Sequence, residues 1–107
     1  MEPSLEGWNI NKIGDVDWVP WGSSGNAQGK ILGTADGFYV VVVQAEAGYR
    51  GDPHTHEYPE FLYVIDGVVQ TQGQELHSGD GYAAAPGSTH DDFGTVSGAT
   101  YLSIFKI

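Results

Sequence analysis

Three side chains between residues 54 and 60 are of types that bind metal ions. His54 and His56 are two residues apart, and Glu60 follows four residues later. On an extended strand, side chains two residues apart project from the same face, so both imidazoles can share one ion. A turn at residues 57–59 would bring Glu60 back beside them. The spacing therefore predicts a facial set of two imidazoles and one carboxylate around a metal ion.

Prolines on both sides of the histidines favour an extended segment over a helix. Pro53 precedes them and Pro59 follows them. A proline inside a helix removes a hydrogen bond and clashes with the preceding turn. Tyr58 stands directly before Pro59, which biases it toward extended or turn geometry. A helix would splay the two imidazoles, whereas an extended segment keeps them together.

For the other two histidines, we expect different roles: His90 as a ligand and His77 as an exposed residue. His90 follows a predicted strand and a Pro-Gly turn, and we expect it to join the first two as a fourth ligand. His77 lies at a predicted hairpin turn, where an exposed side chain is expected. Asp91 and Asp92 come directly after His90. Either one of them holds the second ring nitrogen of His90, or both are exposed acids at a strand end.

The predicted cofactor is one divalent transition metal of open identity. Imidazole and carboxylate ligands suit iron, manganese, nickel, zinc or cobalt. The chain has no cysteine, so no thiolate selects among these metals. The same absence excludes disulfides and cysteine nucleophiles.

Short β-strands are predicted to position these residues. Sixteen glycines and five prolines interrupt the 107 residues, which leaves little room for long helices. Aromatic and β-branched residues favour strands at residues 30–35, 38–47, 61–65, 68–72, 82–85 and 99–107. Asp66-Gly67 predicts a type I′ hairpin turn, because both central positions of that turn need positive φ. Many short strands between turns are typical of an all-β sandwich or small barrel.

The predicted organisation is one domain, with an irregular N-terminal arm at residues 1–29 and a barrel at residues 30–107. The arm contains all three tryptophans, Trp8, Trp18 and Trp21. We expect them to form a lid or edge cover, or part of a dimer interface, in preference to contacting substrate. Edge strands and this arm together favour a homodimer.

The charge of the chain argues against nucleic acid and membrane partners. Its formal net charge is −10, which repels phosphate backbones and anionic lipid surfaces. No uninterrupted apolar run is long enough to cross a bilayer. Met1 leads into Glu2, Pro3 and Ser4 with no basic-then-apolar signal segment, so a cytoplasmic location is expected.

The spacing of glycine, histidine and glutamate resembles the first motif of the cupin superfamily, G(X)5HXH(X)3,4E(X)6G. Every fixed position is matched, by Gly48, His54, His56, Glu60 and Gly67. The second cupin motif, G(X)5PXG(X)2H(X)3N, is matched more loosely. Its glycine-aspartate turn, proline and histidine are similar to Gly79-Asp80, Pro86 and His90. Gly87 follows the proline one position early, and Gly94 stands where asparagine is expected.

This resemblance implies an antiparallel double-stranded β-helix, the RmlC-like jelly-roll barrel of the cupins. It also implies one metal ion held inside the barrel by His54, His56, Glu60 and His90. The segment before the barrel is similar to the lead-in of cupins related to acetylacetone dioxygenase and to the anti-sigma-factor cupin domain. Leu62 and Val64 share the phase of Glu60 and should line the cavity, whereas residues 61, 63 and 65 should face outward.

The predicted function is a metal-dependent, iron(II)-type oxygenase of a small carbonyl compound, such as an enolisable dicarbonyl or a phenolic ketone. Such a substrate would chelate the ion through two oxygens. Glu60 is the predicted catalytic residue, either as a fourth ligand or as a base near the substrate. The alternative is a non-catalytic module that binds or senses a metal or small ligand. A third class is a metal-free isomerase or epimerase on the same fold.

Overall fold

The computed structural model describes residues 2–107, which form ten β-strands and one short 3-10 helix. The 3-10 helix spans Ile13–Asp15. The strands are β1 (Val19–Pro20), β2 (Ala27–Ala35), β3 (Phe38–Ala45), β4 (His54–Thr55), β5 (Glu60–Gly67), β6 (Val69–Thr71), β7 (Gln74–Leu76), β8 (Gly81–Ala84), β9 (Thr89–His90) and β10 (Ala99–Lys106). Within this described part of the chain, no helix is long and apolar enough to cross a membrane.

Every strand pairing is antiparallel. Six strands form one sheet in the order β1-β2-β3-β10-β5-β8, while β4 pairs with β9 and β6 pairs with β7. Strands far apart in sequence are neighbours, as where β10 lies between β3 and β5. This arrangement confirms the predicted all-β jelly roll.

The core lies on the inner face of β3, β5 and β10. In β3, Val41 and Val43 are fully buried, and the β-branched sequence of this strand suits a pleated, buried surface. In β5, Leu62 and Val64 point inward with Glu60, whereas Phe61 is 43% exposed. The predicted alternation of this strand is therefore confirmed. Each fully buried valine contributes roughly 1.5–3 kcal/mol to the free energy of folding.

The hairpin predicted at Asp66-Gly67 is wrong. β5 pairs with β10 and β8, and β6 pairs with β7, so the chain does not fold back after β5. Instead, the backbone N–H of Val68 donates to the carbonyl of Gly98, the residue before β10. The chain therefore continues past this end of β10. Gly67 has a φ of +79°, and a Cβ at this position would collide with the Gly98 carbonyl oxygen. The β6–β7 hairpin turns later, at Gln72 and Gly73, whose φ values are +51° and +70°.

The N-terminal arm is fastened to β2. β1 pairs with β2 at residues 28 and 29, and β2 begins at Ala27, three residues before the predicted start of this strand. The side-chain amide of Asn11 donates to the carbonyl of Leu32, and the backbone N–H of Thr34 donates to Asn9. The arm, which was predicted to be irregular, therefore includes the short strand β1, and this strand covers the edge of the sheet. The division into arm and barrel at residue 29 stays a prediction.

Candidate metal centre

Long-range strand pairing brings the four predicted ligands together. β4 and β9 pair so that His54 lies opposite His90. The backbone N–H of His56 donates to the carbonyl of Ser88 at 2.8 Å. The contact between the β4 and β9 segments therefore continues beyond β4, toward the start of β5. Glu60 is the first residue of β5. One potential ligand atom from each of the four side chains lies within 4.8 Å of the others.

The distances between these atoms are short. The Nε2 atoms of His54 and His56 are 3.2 Å apart. Glu60 Oε2 lies 3.4 Å from His56 Nε2 and 3.5 Å from His90 Nδ1, and Oε1 lies 4.0 Å from His54 Nε2. The side chain of His54 is 48% exposed, whereas His56 and His90 are buried. The cluster is therefore open to solvent on the His54 side, and its role in binding metal stays a prediction.

Hydrogen bonds behind the imidazoles fix which nitrogen faces the cluster. His54 Nδ1 lies 2.9 Å from the carbonyl oxygen of Asp52, which can only accept, so this nitrogen carries the proton. His56 Nδ1 lies 2.9 Å from the hydroxyl of Ser88, which donates its own proton to the carbonyl of Ala85. The Ser88 oxygen therefore accepts from His56. In the neutral imidazoles, both Nε2 atoms present lone pairs to the centre.

These donors fit a divalent transition ion. Two lone pairs 3.2 Å apart beside a carboxylate repel one another unless a cation lies between them. Two nitrogens each about 2.1 Å from one ion, at cis or tetrahedral angles, would lie about 3.0–3.4 Å apart. Burial lowers the pKa of His90, which favours the neutral form that can act as a ligand. The cluster of His54, His56, Glu60 and His90 could therefore bind a metal.

Tyr82 holds the carboxylate of Glu60. Its hydroxyl donates to Oε2 at 2.6 Å. Burial raises the pKa of Tyr82, and the negative charge of Glu60 raises it further. The phenol therefore stays protonated near neutral pH and remains a donor.

A cavity of about 190 Å³ opens beside the cluster. His54, Glu60 and His90 lie on its wall, and its remaining surface includes Leu62 and Phe93. The other residues of the lining are Trp21, Gly22, Tyr49, Gly51, Asp52, Tyr82, Tyr101 and Ser103. A wider cavity of about 550 Å³ lies at residues 25–28, 44–46, 66–67 and 97–100, but none of the four clustered side chains lines it. The smaller cavity, which combines His54, Glu60 and His90 with an aromatic wall, is the candidate active site.

Two buried tyrosines, Tyr49 and Tyr101, line this cavity. Burial is the main cause that raises the pKa of each. Trp21 packs on the core and reaches the same cavity, whereas Trp8 is 71% exposed. The arm thus contributes one of its three tryptophans to the site.

Two residues near the centre, Asp92 and Ser88, make hydrogen bonds that the sequence did not predict. The carboxylate of Asp92 accepts from the backbone N–H groups of Gln72 and Gly73, and these bonds lower its pKa. Asp92 therefore holds the β6–β7 turn instead of the imidazole of His90. His77 is exposed, as predicted. Ser88 was missed, and its position two residues before His90 on a turn is the only sequence signal it carries.

Comparison with known proteins identifies relatives of the fold. The family model described as ChrR cupin-like domain matches residues 9–105. No curated protein sequence matches the chain. A crystal structure of a proposed acetylacetone dioxygenase from Methylibium petroleiphilum PM1 superposes with a TM-score of 0.86 and 17% identity, covering 99% of this chain and 81% of that one.

Two other similar structures differ in their described roles. An acetylacetone dioxygenase from Acinetobacter johnsonii has a TM-score of 0.78 and 15% identity, with 91% of this chain and 72% of that chain covered. A chain of the Rhodobacter sphaeroides SigE complex with the anti-sigma ChrR has a TM-score of 0.72 and 19% identity. That match covers 89% of this chain and 52% of the other, so this chain spans about half of it.

Proposed function

We propose that this chain, which belongs to the ChrR cupin-like domain family, is a metal-dependent cupin that acts on a small carbonyl compound with iron(II) and oxygen. The observation that carries this proposal is the convergence of three imidazoles and one carboxylate within 4.8 Å, at the wall of a cavity. Two imidazoles and a carboxylate are the ligand set of non-haem iron(II) oxygenases.

His54, His56, Glu60 and His90 would hold the ion. A divalent ion bound there would supply Lewis-acid chemistry, and iron(II) would in addition supply oxygen activation. Ser88 and the carbonyl of Asp52 orient the two imidazoles of the first motif, because each accepts the Nδ1 proton and leaves Nε2 free.

If the three histidines alone hold the ion, Glu60 is placed to act as a base. Tyr82 engages Oε2, whereas Oε1 lies toward the exposed imidazole of His54. A dicarbonyl compound in the cavity would present its acidic carbon to Oε1, which would accept the proton as the enolate forms. The phenol of Tyr82 stays in place as a donor and limits rotation of the carboxylate.

The cavity walls favour a small, mostly apolar substrate. Leu62 and Phe93 provide apolar surface that excludes water, whereas Asp52 and Ser103 are polar residues of the same lining. A volume of about 190 Å³ admits a molecule of only a few carbon atoms. Acetylacetone, which names two of the similar structures, is a small enolisable dicarbonyl of this kind.

A second candidate function is a non-catalytic module that binds or senses a metal or a small ligand. The family match to the ChrR cupin-like domain favours it, as does the likeness to a chain of an anti-sigma complex. In this case the same four side chains would bind the ion without turnover. The homodimer and the cytoplasmic location predicted from the sequence stay predictions under either function.

Oxygen uptake distinguishes the two functions. The full chain, free of a histidine tag and loaded anaerobically with iron(II), is mixed with acetylacetone, longer diketones and dihydroxyphenyl ketones in an oxygen electrode. We expect uptake with at least one compound and a loss of about 100-fold or more in Glu60→Gln. His77→Ala, which changes an exposed histidine away from the centre, should keep full activity. No uptake with any compound by iron-loaded protein would contradict the enzyme and favour the sensor.

A further inference from the structure

The outer face of the six-stranded sheet, on the side away from the core, is only half covered. Strand register places Val42, Leu102 and Tyr63 side by side across β3, β10 and β5, and all three point to this outer face. Their exposure rises along the row: Val42 is 7% exposed, Leu102 is half-buried and Tyr63 is 51% exposed. The β3 half of the outer face is therefore covered, and the β5 half is open.

The N-terminal arm covers the β3 half. Lys30, which lies opposite Val42 on β2, donates from Nζ to the carbonyl of Ile13 at 2.7 Å. Earlier in the arm, Trp8 lines the same small cavity as Val40 of β3. The arm therefore forms a ridge over β2 and β3, beside the open half of the face.

Both the ridge and the open half expose large apolar side chains. Each of six such residues is between 43% and 71% exposed: Trp8, Ile10, Ile13, Phe61, Tyr63 and Ile65. Because large side chains of this kind have about 200 Å² of surface each, the six expose roughly 600 Å² per chain. A stable interface buries about 800 Å² per partner, of which somewhat more than half is apolar. The apolar area on this face is therefore large enough for a stable dimer.

The charges on this face also permit a second copy to approach. Two chains of net charge −10 repel each other. In the middle of the three strands, however, every outward-facing residue is uncharged: Val40 and Val42 on β3, Leu102 and Ile104 on β10, and Phe61, Tyr63 and Ile65 on β5. Two copies can therefore meet on this face without bringing carboxylates of these strands together.

We infer that the outer face binds a second copy of the chain, with the arm of each copy lying on β5 of the other. In such a symmetric pair both copies use the same patch. With the two-fold axis along the strands, between β3 and β10, the β2 side of one copy faces the β5 side of the other. Ile13, which lies at Lys30 of β2, then lies near the partner's Tyr63. The ridge of each copy fills the open half of the other, so both apolar surfaces are buried together.

This interface differs from the edge strands on which the sequence-based prediction of a homodimer rested. It uses the face of the sheet, and it requires neither a metal ion nor turnover. Its failure would therefore leave the proposed reaction untouched.

Sedimentation velocity of the full, untagged chain tests the interface. We expect the wild type to sediment mainly as two 11.5-kDa chains at about 50 µM. Tyr63→Glu and Ile13→Lys should each weaken the dimer at least tenfold, because each buries two unpaired charges, one per copy. Val96→Glu is the matched control, because Val96 is 75% exposed and lies outside the outer face.

Mixing the two variants tests which surfaces meet. At a concentration at which each variant alone is monomeric, an equimolar mixture should form a dimer. The new ammonium on the arm of one chain would then lie against the new carboxylate on β5 of the other, while the second arm–β5 contact stays as in the wild type. Recovery on mixing would also show that both variants are folded.

Three results would overturn the inference. They are a wild-type chain that stays monomeric at about 100 µM, variants that dimerise as tightly as the wild type or as Val96→Glu, and a mixture that does not associate.

Discussion

The hydrogen bond behind His56 allows a quantitative test of the metal centre. Ser88→Ala removes the hydroxyl that accepts from His56 Nδ1 at 2.9 Å. His56 is buried, so its N–H would lose a partner that water cannot readily replace. Changes of this kind weaken metal affinity about 10- to 100-fold. Three of the four ligands keep their own surroundings, so we expect the lower end, roughly tenfold or about 1.4 kcal/mol.

The assay is competition for cobalt(II) or zinc(II) between the protein and a chromophoric chelator. Ser88→Thr keeps the hydroxyl and should bind nearly as tightly as the wild type. Ser78→Ala is the matched control, because the Ser78 hydroxyl donates to the carbonyl of Ile65, away from the four ligands. Ser88→Ala also loses a bond to the carbonyl of Ala85, so thermal melting must confirm that the variant is folded at the assay temperature. An affinity for Ser88→Ala within twofold of the wild type would refute the reasoning.

Two further predictions concern the barrel around the site. Gly67→Ala should destabilise the fold by about 2–4 kcal/mol in urea unfolding, because its Cβ would meet backbone atoms of residues 98 and 99. Gly73→Ala, at a similar φ of +70° but with open space, should cost only about 1 kcal/mol, and equal losses would contradict the steric explanation. Burial raises the folded-state pKa of Tyr101, so the unfolded chain releases this proton above pH 10 while the folded chain retains it. The melting temperature should therefore fall as pH rises beyond 10, less steeply in Tyr101→Phe, and parallel profiles would contradict this assignment.

The candidate ligands of the first cupin motif could be predicted from the sequence because they lie close together in the chain. His54 and His56 lie two residues apart and Glu60 follows closely, so period-two geometry and one turn suffice to place them together. The phase of β5 follows from the same rule, so Leu62 and Val64 both face inward as predicted, but only Leu62 lines the cavity and Val64 lies in the core.

The remaining features depend on contacts between distant segments. His90 joins the cluster through the pairing of β4 with β9, which no local pattern specifies. Asp66-Gly67 has the composition of a hairpin turn, but the contact of residues 67 and 68 with Gly98 overrides it. The true turn contains Gln72 at positive φ, which is uncommon for a residue other than glycine and gives no sequence signal.

The most direct test of the account is elemental analysis of untagged protein after reconstitution and removal of free metal. The geometry predicts one divalent transition ion per wild-type chain and a large loss of bound metal in His56→Ala. His77→Ala should retain the full complement. A wild-type chain without stoichiometric metal, or a His56→Ala variant that keeps it, would contradict a centre built from His54, His56, Glu60 and His90.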